Sequence, residues 1–172
     1  MEKGYLQIYT GDGKGKTTAA LGLTLRALGA GFRVLFVQFM KQGAYSEIKA
    51  LEKFADQVVL AQYGTGRFVY GKPGPDDLRA ANQGLQRVKA ALASGEFDLL
   101  VLDEANVALS LNILPLQELL DLLANRPAGM EVVLTGRGAP QQLLAAADLI
   151  TEMHALRHYY ANGVAARTGI EK

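Results

Sequence analysis

Short apolar runs alternate with longer stretches of helical periodicity along the chain. Residues 5–10 are an apolar run that ends on a cluster of glycines and predict a first strand. Residues 16–29 are rich in good helix formers and close on a glycine, which predicts a helix. A second strand is predicted over 33–38, a short helix over 46–54 and a third strand over 58–62. Residues 64–75 concentrate glycine and proline and predict a loop. There follow a predicted helix over 76–92, a strand over 99–103, a helix over 114–125, a strand over 131–135, a helix over 139–147 and a last short strand over 149–152.

The strands are continuously apolar rather than alternating, as expected when both faces of a sheet are covered. Strand and helix alternate throughout, so the pattern predicts an α/β fold with an open, mostly parallel central sheet and helices on both faces. There is no internal repeat and no low-complexity linker. Sheets of this kind bind ligands beyond the carboxyl ends of their strands. Here those ends carry Thr10-Gly11, Gln38, Asp103-Glu104 and Thr135-Gly136-Arg137, so the polar residues gather on the edge where a site is expected.

Composition narrows the classes. The 172 residues amount to one domain, and a chain of this length buries about 70% of its unfolded surface. The net charge of +1 offers no case for a nucleic-acid or membrane partner. The absence of cysteine excludes disulfides, thiolate metal sites and cysteine nucleophiles. The apolar run at Tyr5 leaves no room ahead of it for a signal peptide, and no stretch approaches the ~18 apolar residues of a membrane helix. A cytoplasmic enzyme is the expectation.

Thr10-Gly11-Asp12-Gly13-Lys14-Gly15-Lys16-Thr17-Thr18 lies at the first strand-to-helix junction. Three glycines at alternate positions let the backbone curl around phosphate oxygens, and the helix that follows adds its dipole and free N–H groups. Gly11, Asp12, Gly13, Lys14, Gly15, Lys16, Thr17 and Thr18 are therefore the expected ATP-binding set, with Lys16 on phosphate and the Thr17 hydroxyl on Mg²⁺. The general P-loop pattern has glycine where this chain has Thr10, so the loop is a variant. The fold expected is a single-domain P-loop NTPase (RecA-like). Mg²⁺ keeps several waters and needs a carboxylate nearby. Asp103 and Glu104 close an apolar strand and supply it, although spacing does not say which lies nearer the metal. Arg137 either binds triphosphate through its planar fork or is a surface residue in a turn. Arg26, inside the first helix, reads as a solvated-face residue.

Phosphate loop and acidic strand indicate a nucleoside triphosphate and stop there. The chain as a whole resembles the P-loop family of ATP:cob(I)alamin (corrinoid) adenosyltransferases. The resemblance rests on residues 9–20, Val37-Gln38-Phe39-Met40-Lys41, Leu102-Asp103-Glu104, Leu134-Thr135-Gly136-Arg137-Gly138, residues 147–153 and Gly169-Ile170-Glu171. Thr10 is what the family has at that loop position. The resemblance implies that corrinoid cobalt(I) attacks the 5′ carbon of ATP, that adenosylcobalamin forms and that the whole triphosphate leaves. It also implies that ATP lies reversed in the loop relative to ordinary P-loop hydrolases. Lys16, Thr17 and Glu104 are then the catalytic residues, helped by Mg²⁺ and Arg137. The family places two aromatics after a Thr-Gly in the loop following the third strand, to cover the lower face of the corrinoid. Gly64-Thr65-Gly66-Arg67-Phe68-Val69-Tyr70 offers Phe68 and Tyr70, with Arg67 as an inserted residue and tyrosine in place of tryptophan.

The family often carries an extension ahead of the first strand that helps cover the corrinoid. Its lack here leads to the expectation that another subunit supplies that cover. The tail reads Ala165-Ala166-Arg167-Thr168, with no glutamine after the alanines. His158 falls at a family-like position; packing, or a ribose or phosphate contact, is expected of it rather than metal binding. Glu47 matches a family glutamate of unassigned role. A flavoprotein reductant and a homodimer are implied, and the preferred corrinoid stays open. Two other readings of the motifs remain. A small-molecule kinase or ATP hydrolase needs an arginine-bearing lid or a water-orienting residue. A nucleic-acid-handling ATPase needs a basic groove with stacking aromatics.

Overall fold

In the computed structural model, residues 1–171 are described, apart from Phe68 and Tyr70. The strands are β1 (Leu6–Thr10), β2 (Val34–Phe39), β3 (Val58–Tyr63), β4 (Leu99–Asp103), β5 (Glu131–Thr135) and β6 (Leu149–Glu152). The helices are α1 (Lys16–Gly29), α2 (Ser46–Leu51), α3 (Pro75–Ser94), α4 (Ala105–Ser110), α5 (Leu116–Ala124) and α6 (Gln141–Ala146). A 3-10 turn, Glu52–Phe54, continues α2, and a second one, Tyr159–Asn162, lies in the tail. The six strands form one sheet in the order β3-β2-β4-β5-β1-β6, and every pairing is parallel.

The apolar runs fold this way because both faces of the inner strands are covered. Along β2, Leu35, Val37 and Phe39 face a core shared with α3, α5 and α6, whereas Val34 and Phe36 face a second core shared with α1. Leu100 and Leu102 of β4, and Val132 and Leu134 of β5, join the first core; Leu99, Val101 and Val133 join the second. The predicted α/β architecture holds. β6 is the exception to the buried-strand rule: it pairs only with β1, and all four of its residues are exposed.

Element ends differ from the sequence expectation by one or two residues in several places, and three differences have a local reason. A helix expected over 46–54 is α for its first six residues and then tightens into the 3-10 turn. α3 begins at Pro75, one residue early, because proline at the first helical position has no N–H to lose. Asp77 also accepts the Gly74 N–H at 2.9 Å. α4 was not expected at all. It is only six residues long, and it follows Glu104, which has a left-handed backbone (φ 59°) and no side-chain cap, so it carries no start signal. Pro115, at φ −75°, ψ 111°, then separates α4 from α5.

At the amino-terminal edge of the sheet β1 and β6 are locked by one carboxylate. Asp148 accepts the Leu6 N–H at 2.8 Å and meets Arg126 at 3.5 Å, while its own N–H reaches the Leu6 carbonyl at 2.9 Å. Replacing Asp148 with alanine leaves the Leu6 N–H without this acceptor. Asp148→Ala should therefore cost about 1–3 kcal/mol in urea unfolding, and Asp148→Asn should recover most of that loss.

Candidate active site

Residue parity builds the site. Gln38, Asp103 and Thr135 continue the same alternation as Phe36, Val101 and Val133, which places all three on the α1 side of the sheet. Gln38 is the register partner of Asp103, and all three residues are fully buried. Asp103 Oδ1 accepts the Thr17 hydroxyl at 2.8 Å and the Thr135 hydroxyl at 2.6 Å. Its Oδ2 accepts Gln38 Nε2 at 3.1 Å and Lys41 Nζ at 2.8 Å. Four donors fill the acceptor sites of one carboxylate. Burial pulls the Lys41 ammonium down, but the Asp103 charge and hydrogen bond, with help from Glu104 and Glu47, outweigh it and leave Lys41 above its ordinary value.

The glycine loop bends where the sequence requires it. Gly11 (φ 88°) and Gly15 (φ 118°) have left-handed backbones that a side chain would strain. The first bond of the α1 ladder runs from the Ala19 N–H to the Gly15 carbonyl at 2.7 Å. That leaves the N–H groups of Lys16, Thr17 and Thr18 ahead of the ladder, the arrangement that attracts anions. Gly13 packs against the backbone that follows β6. Its N–H donates to the Met153 carbonyl at 2.7 Å, and a Cβ there would lie 2.6 Å from the same oxygen. Gly13 therefore serves packing, a role its place in the motif did not reveal.

Lys16 is buried at the loop's centre, donating to the carbonyls of Gly11 at 2.7 Å and Gly13 at 2.6 Å. Burial, and then the Arg137 charge, push its pKa down against the pull of Glu104 and Asp12. Arg137 does reach the loop: its Nε lies 3.7 Å from Asp12 Oδ1, and its guanidinium donates to the Asp12 carbonyl at 3.4 Å. Glu104 leans over the same space, 3.9 Å from Lys41, with its N–H on the Thr135 hydroxyl at 3.1 Å. Burial and the neighbouring Asp103 charge raise its pKa. Thr18 is exposed on the first turn of α1.

Lys14 takes a different direction from the rest of the loop. It donates to the Ile170 carbonyl at 3.2 Å and lies 3.5 Å from Glu171. Glu171 also accepts the Tyr159 hydroxyl and three bonds from Arg167, which hold its carboxyl at a pKa of about 2. His158 accepts the Tyr160 N–H at 3.0 Å and so caps the tail turn, which is a packing role.

The predicted residues Asp12, Lys16, Thr17, Asp103, Glu104 and Arg137 thus come together around one space, and Lys14 points to the tail. The predicted corrinoid contacts Phe68 and Tyr70 lie outside the described residues. Lys41, Gln38 and Thr135 were not among the expected site residues. Gln38 and Thr135 were visible as polar strand ends. Lys41 sat in a quoted segment with nothing to assign it a role. Among the described residues, no group of three or more His, Asp or Glu side chains is arranged to hold a metal by itself. A hydroxyl with one or two carboxylates is, however, the donor set that suits Mg²⁺ held mainly by a triphosphate. The Lys41 ammonium lies among those oxygens.

A phosphate loop between the first strand and helix of a parallel sheet, facing an acidic strand end, defines a P-loop nucleotide-binding protein. A solved structure, the flagellar accessory protein FlaH from Methanocaldococcus jannaschii, shares the fold: TM-score 0.60 at 15% identity, over 88% of this chain and 72% of that one. The chain belongs to the ATP:corrinoid adenosyltransferase family BtuR/CobO/CobP, which matches residues 2–171. It is 36% identical to a corrinoid adenosyltransferase of Pseudomonas aeruginosa, over 99% of this chain and 84% of that protein. It is also 36% identical to a corrinoid adenosyltransferase of Escherichia coli K12, over 99% of this chain and 86% of that protein. No helix among the described residues is long and apolar enough to cross a membrane.

The Glu171 contacts make a pH prediction. A carboxyl held at about 2, against an ordinary value of about 4.3, fixes the tail fully above the higher value and loses its hold as pH falls towards the lower. The Tyr159 ring signals in NMR should therefore stay constant down to about pH 3 and move towards those of Glu171→Gln around pH 2, and the variant's signals should not change over that range.

Proposed function

We propose that this protein transfers the 5′-deoxyadenosyl group of ATP to the cobalt(I) of a reduced corrinoid and releases triphosphate, in adenosylcobalamin biosynthesis or salvage. Family membership across residues 2–171 is the observation that carries the reading. In this reaction the cobalt(I) electron pair forms the cobalt–carbon bond. The bond from C5′ to oxygen breaks, and its pair leaves with the triphosphate. The substrate is itself the nucleophile, so the chain needs neither a nucleophile nor a general base. Its tasks are to hold the leaving group's charge and to align the two substrates.

The free N–H groups of the first α1 turn, Lys16 and Arg137 are placed to take the triphosphate. The loop residues from Gly11 to Thr18 form its cradle. Mg²⁺, when bound, would neutralise part of the triphosphate charge. Thr17 and Glu104 are the residues to hold it. The Thr17 proton is directed at Asp103, which leaves its oxygen lone pairs for a cation. Among the described residues, Glu104 accepts no hydrogen bond on its carboxylate and is free to receive metal-bound water. Asp103 is saturated and orients Thr17. Phe68 and Tyr70 are assigned to the lower face of the corrinoid. The working enzyme is taken to be a single-domain protomer in a cytoplasmic homodimer supplied by a flavoprotein reductant.

The test is an anaerobic assay with ATP, Mg²⁺ and chemically reduced cobalamin, following cobalt(I) absorbance and the phosphate product. Adenosylcobalamin with intact triphosphate is expected. ADP or phosphate without a corrinoid product would replace this reading with that of a kinase or hydrolase. Lys16→Ala should lower the rate at least ~100-fold, because it removes a fixed charge from the leaving group. Phe68→Ala should slow adenosylation about tenfold or more while ATP affinity stays within about twofold, measured by calorimetry.

A further inference from the structure

Lys41 occupies the place that the metal reading assigns to a cation. Its ammonium lies 2.8 Å from Asp103 Oδ2, 3.4 Å from Thr17 Oγ1 and 3.9 Å from Glu104 Oε1. Two of these oxygens, on Thr17 and Glu104, belong to the residues that would hold Mg²⁺, and the third is on the carboxylate that orients Thr17. Two cations cannot share them: at a few ångströms their repulsion amounts to several kcal/mol even at an effective dielectric of about 20. Either Lys41 moves or the metal stays out.

The chain around Lys41 allows only the side chain to move. Met40, at φ 61°, anchors the turn through its N–H on the Tyr63 carbonyl at 3.1 Å. Two residues on, Gln62 clamps Gly43 from both sides: it accepts the Gly43 N–H at 3.2 Å and donates to the Gly43 carbonyl at 3.1 Å. Gln62 in turn donates to Gln38 at 2.9 Å, and Gln38 donates to Asp103. Gly64 closes the remaining side, since a Cβ there would lie 2.5 Å from the Lys41 backbone nitrogen. The backbone is thus pinned on both flanks, and a flexible four-carbon stem carries the charge.

We propose that Lys41 is an exchangeable internal cation that excludes free divalent metal from the site and gives way only when the metal arrives with a triphosphate. This inference rests on the metal reading above. The triphosphate brings enough negative charge for both cations. Thr17 and Glu104 would then hold Mg²⁺, and the Lys41 ammonium would rotate from Asp103 onto a phosphate oxygen of the same ligand. The site therefore admits the metal–nucleotide complex and discriminates against the bare ion. It also brings one more positive charge onto the leaving group in the same movement.

The experiment measures Mn²⁺ binding by electron paramagnetic resonance, with and without ATP, for the wild type, Lys41→Arg and Lys41→Met. Without ATP, the wild type and the arginine variant should bind Mn²⁺ weakly, and Lys41→Met should bind it at least ~tenfold more tightly. Equal affinity of all three for the free ion, with ATP still bringing Mn²⁺ to the wild type, would overturn the role of Lys41 and leave the metal assignment standing. Failure of ATP to bring Mn²⁺ to the wild type would remove the metal assignment, and this inference with it. Because Lys41→Met uncovers a buried carboxylate and can fail to fold, the wild type is also examined with ¹⁵Nζ-labelled lysine. The Lys41 signal, assigned through Lys41→Arg, should shift on adding Mg²⁺ with ATP and not on adding Mg²⁺ alone. A signal unmoved by saturating Mg²⁺ and ATP would overturn the proposal.

Discussion

The fully buried Asp103 carboxylate is the constraint around which the catalytic edge is organised. A charge in that position is tolerable only with its partners in place, and removing one partner of a buried pair typically costs about 3–5 kcal/mol. Asp103 has four, each from a different part of the chain: Thr17 from α1, Gln38 from β2, Lys41 from the turn after β2, and Thr135 from β5. A shift of any of these elements by one residue would leave the carboxylate short of a donor. The interaction therefore acts less as a source of stability than as a specification of register, fixing the P-loop helix against strands that are distant in sequence.

What was legible in the sequence was local. Continuous apolar runs gave away the inner strands because burial on both faces leaves no polar alternation to obscure them. The phosphate loop was legible because left-handed backbone at Gly11 and Gly15 demands glycine there. The strand order was not legible: β1 sits between β5 and β6 rather than beside its sequence neighbour, and only tertiary packing decides that. Lys41 escaped for a related reason. A lysine after a strand reads as solvated, and only the meeting of β2 with β4 places Asp103 in front of it. α4 escaped because its start is set by where β4 ends and not by a capping side chain.

The exposed strand β6 and the tail form the loop's outer support. Immediately after β6, the Met153 N–H donates to the Thr10 carbonyl at 2.9 Å, and its carbonyl receives Gly13. At the far end of the tail, Ile170 and Glu171 hold Lys14. Two of the segments that carry the family resemblance, residues 147–153 and Gly169-Ile170-Glu171, are thus the two points at which the tail touches the phosphate loop. An edge strand with little apolar burial of its own thus helps to fix the shape of the loop through these backbone bonds.

Adenosyl transfer places one physical demand on the protein, that positive charge be ready where the triphosphate leaves. A site crowded with loose cations would repel itself, and a site whose cations were deeply paired would have none to offer. Two of the cations here are held by weak or replaceable partners at the site itself. Lys16 rests on two carbonyls and Arg137 on an exposed aspartate, whereas Lys41 is paired with the buried Asp103. Little reorganisation is then required as charge develops, which is the condition under which fixed electrostatics contributes most to catalysis. The same economy means that neither a base nor a nucleophile is asked of this edge: the corrinoid brings the electron pair, and the fold has only to receive what it displaces.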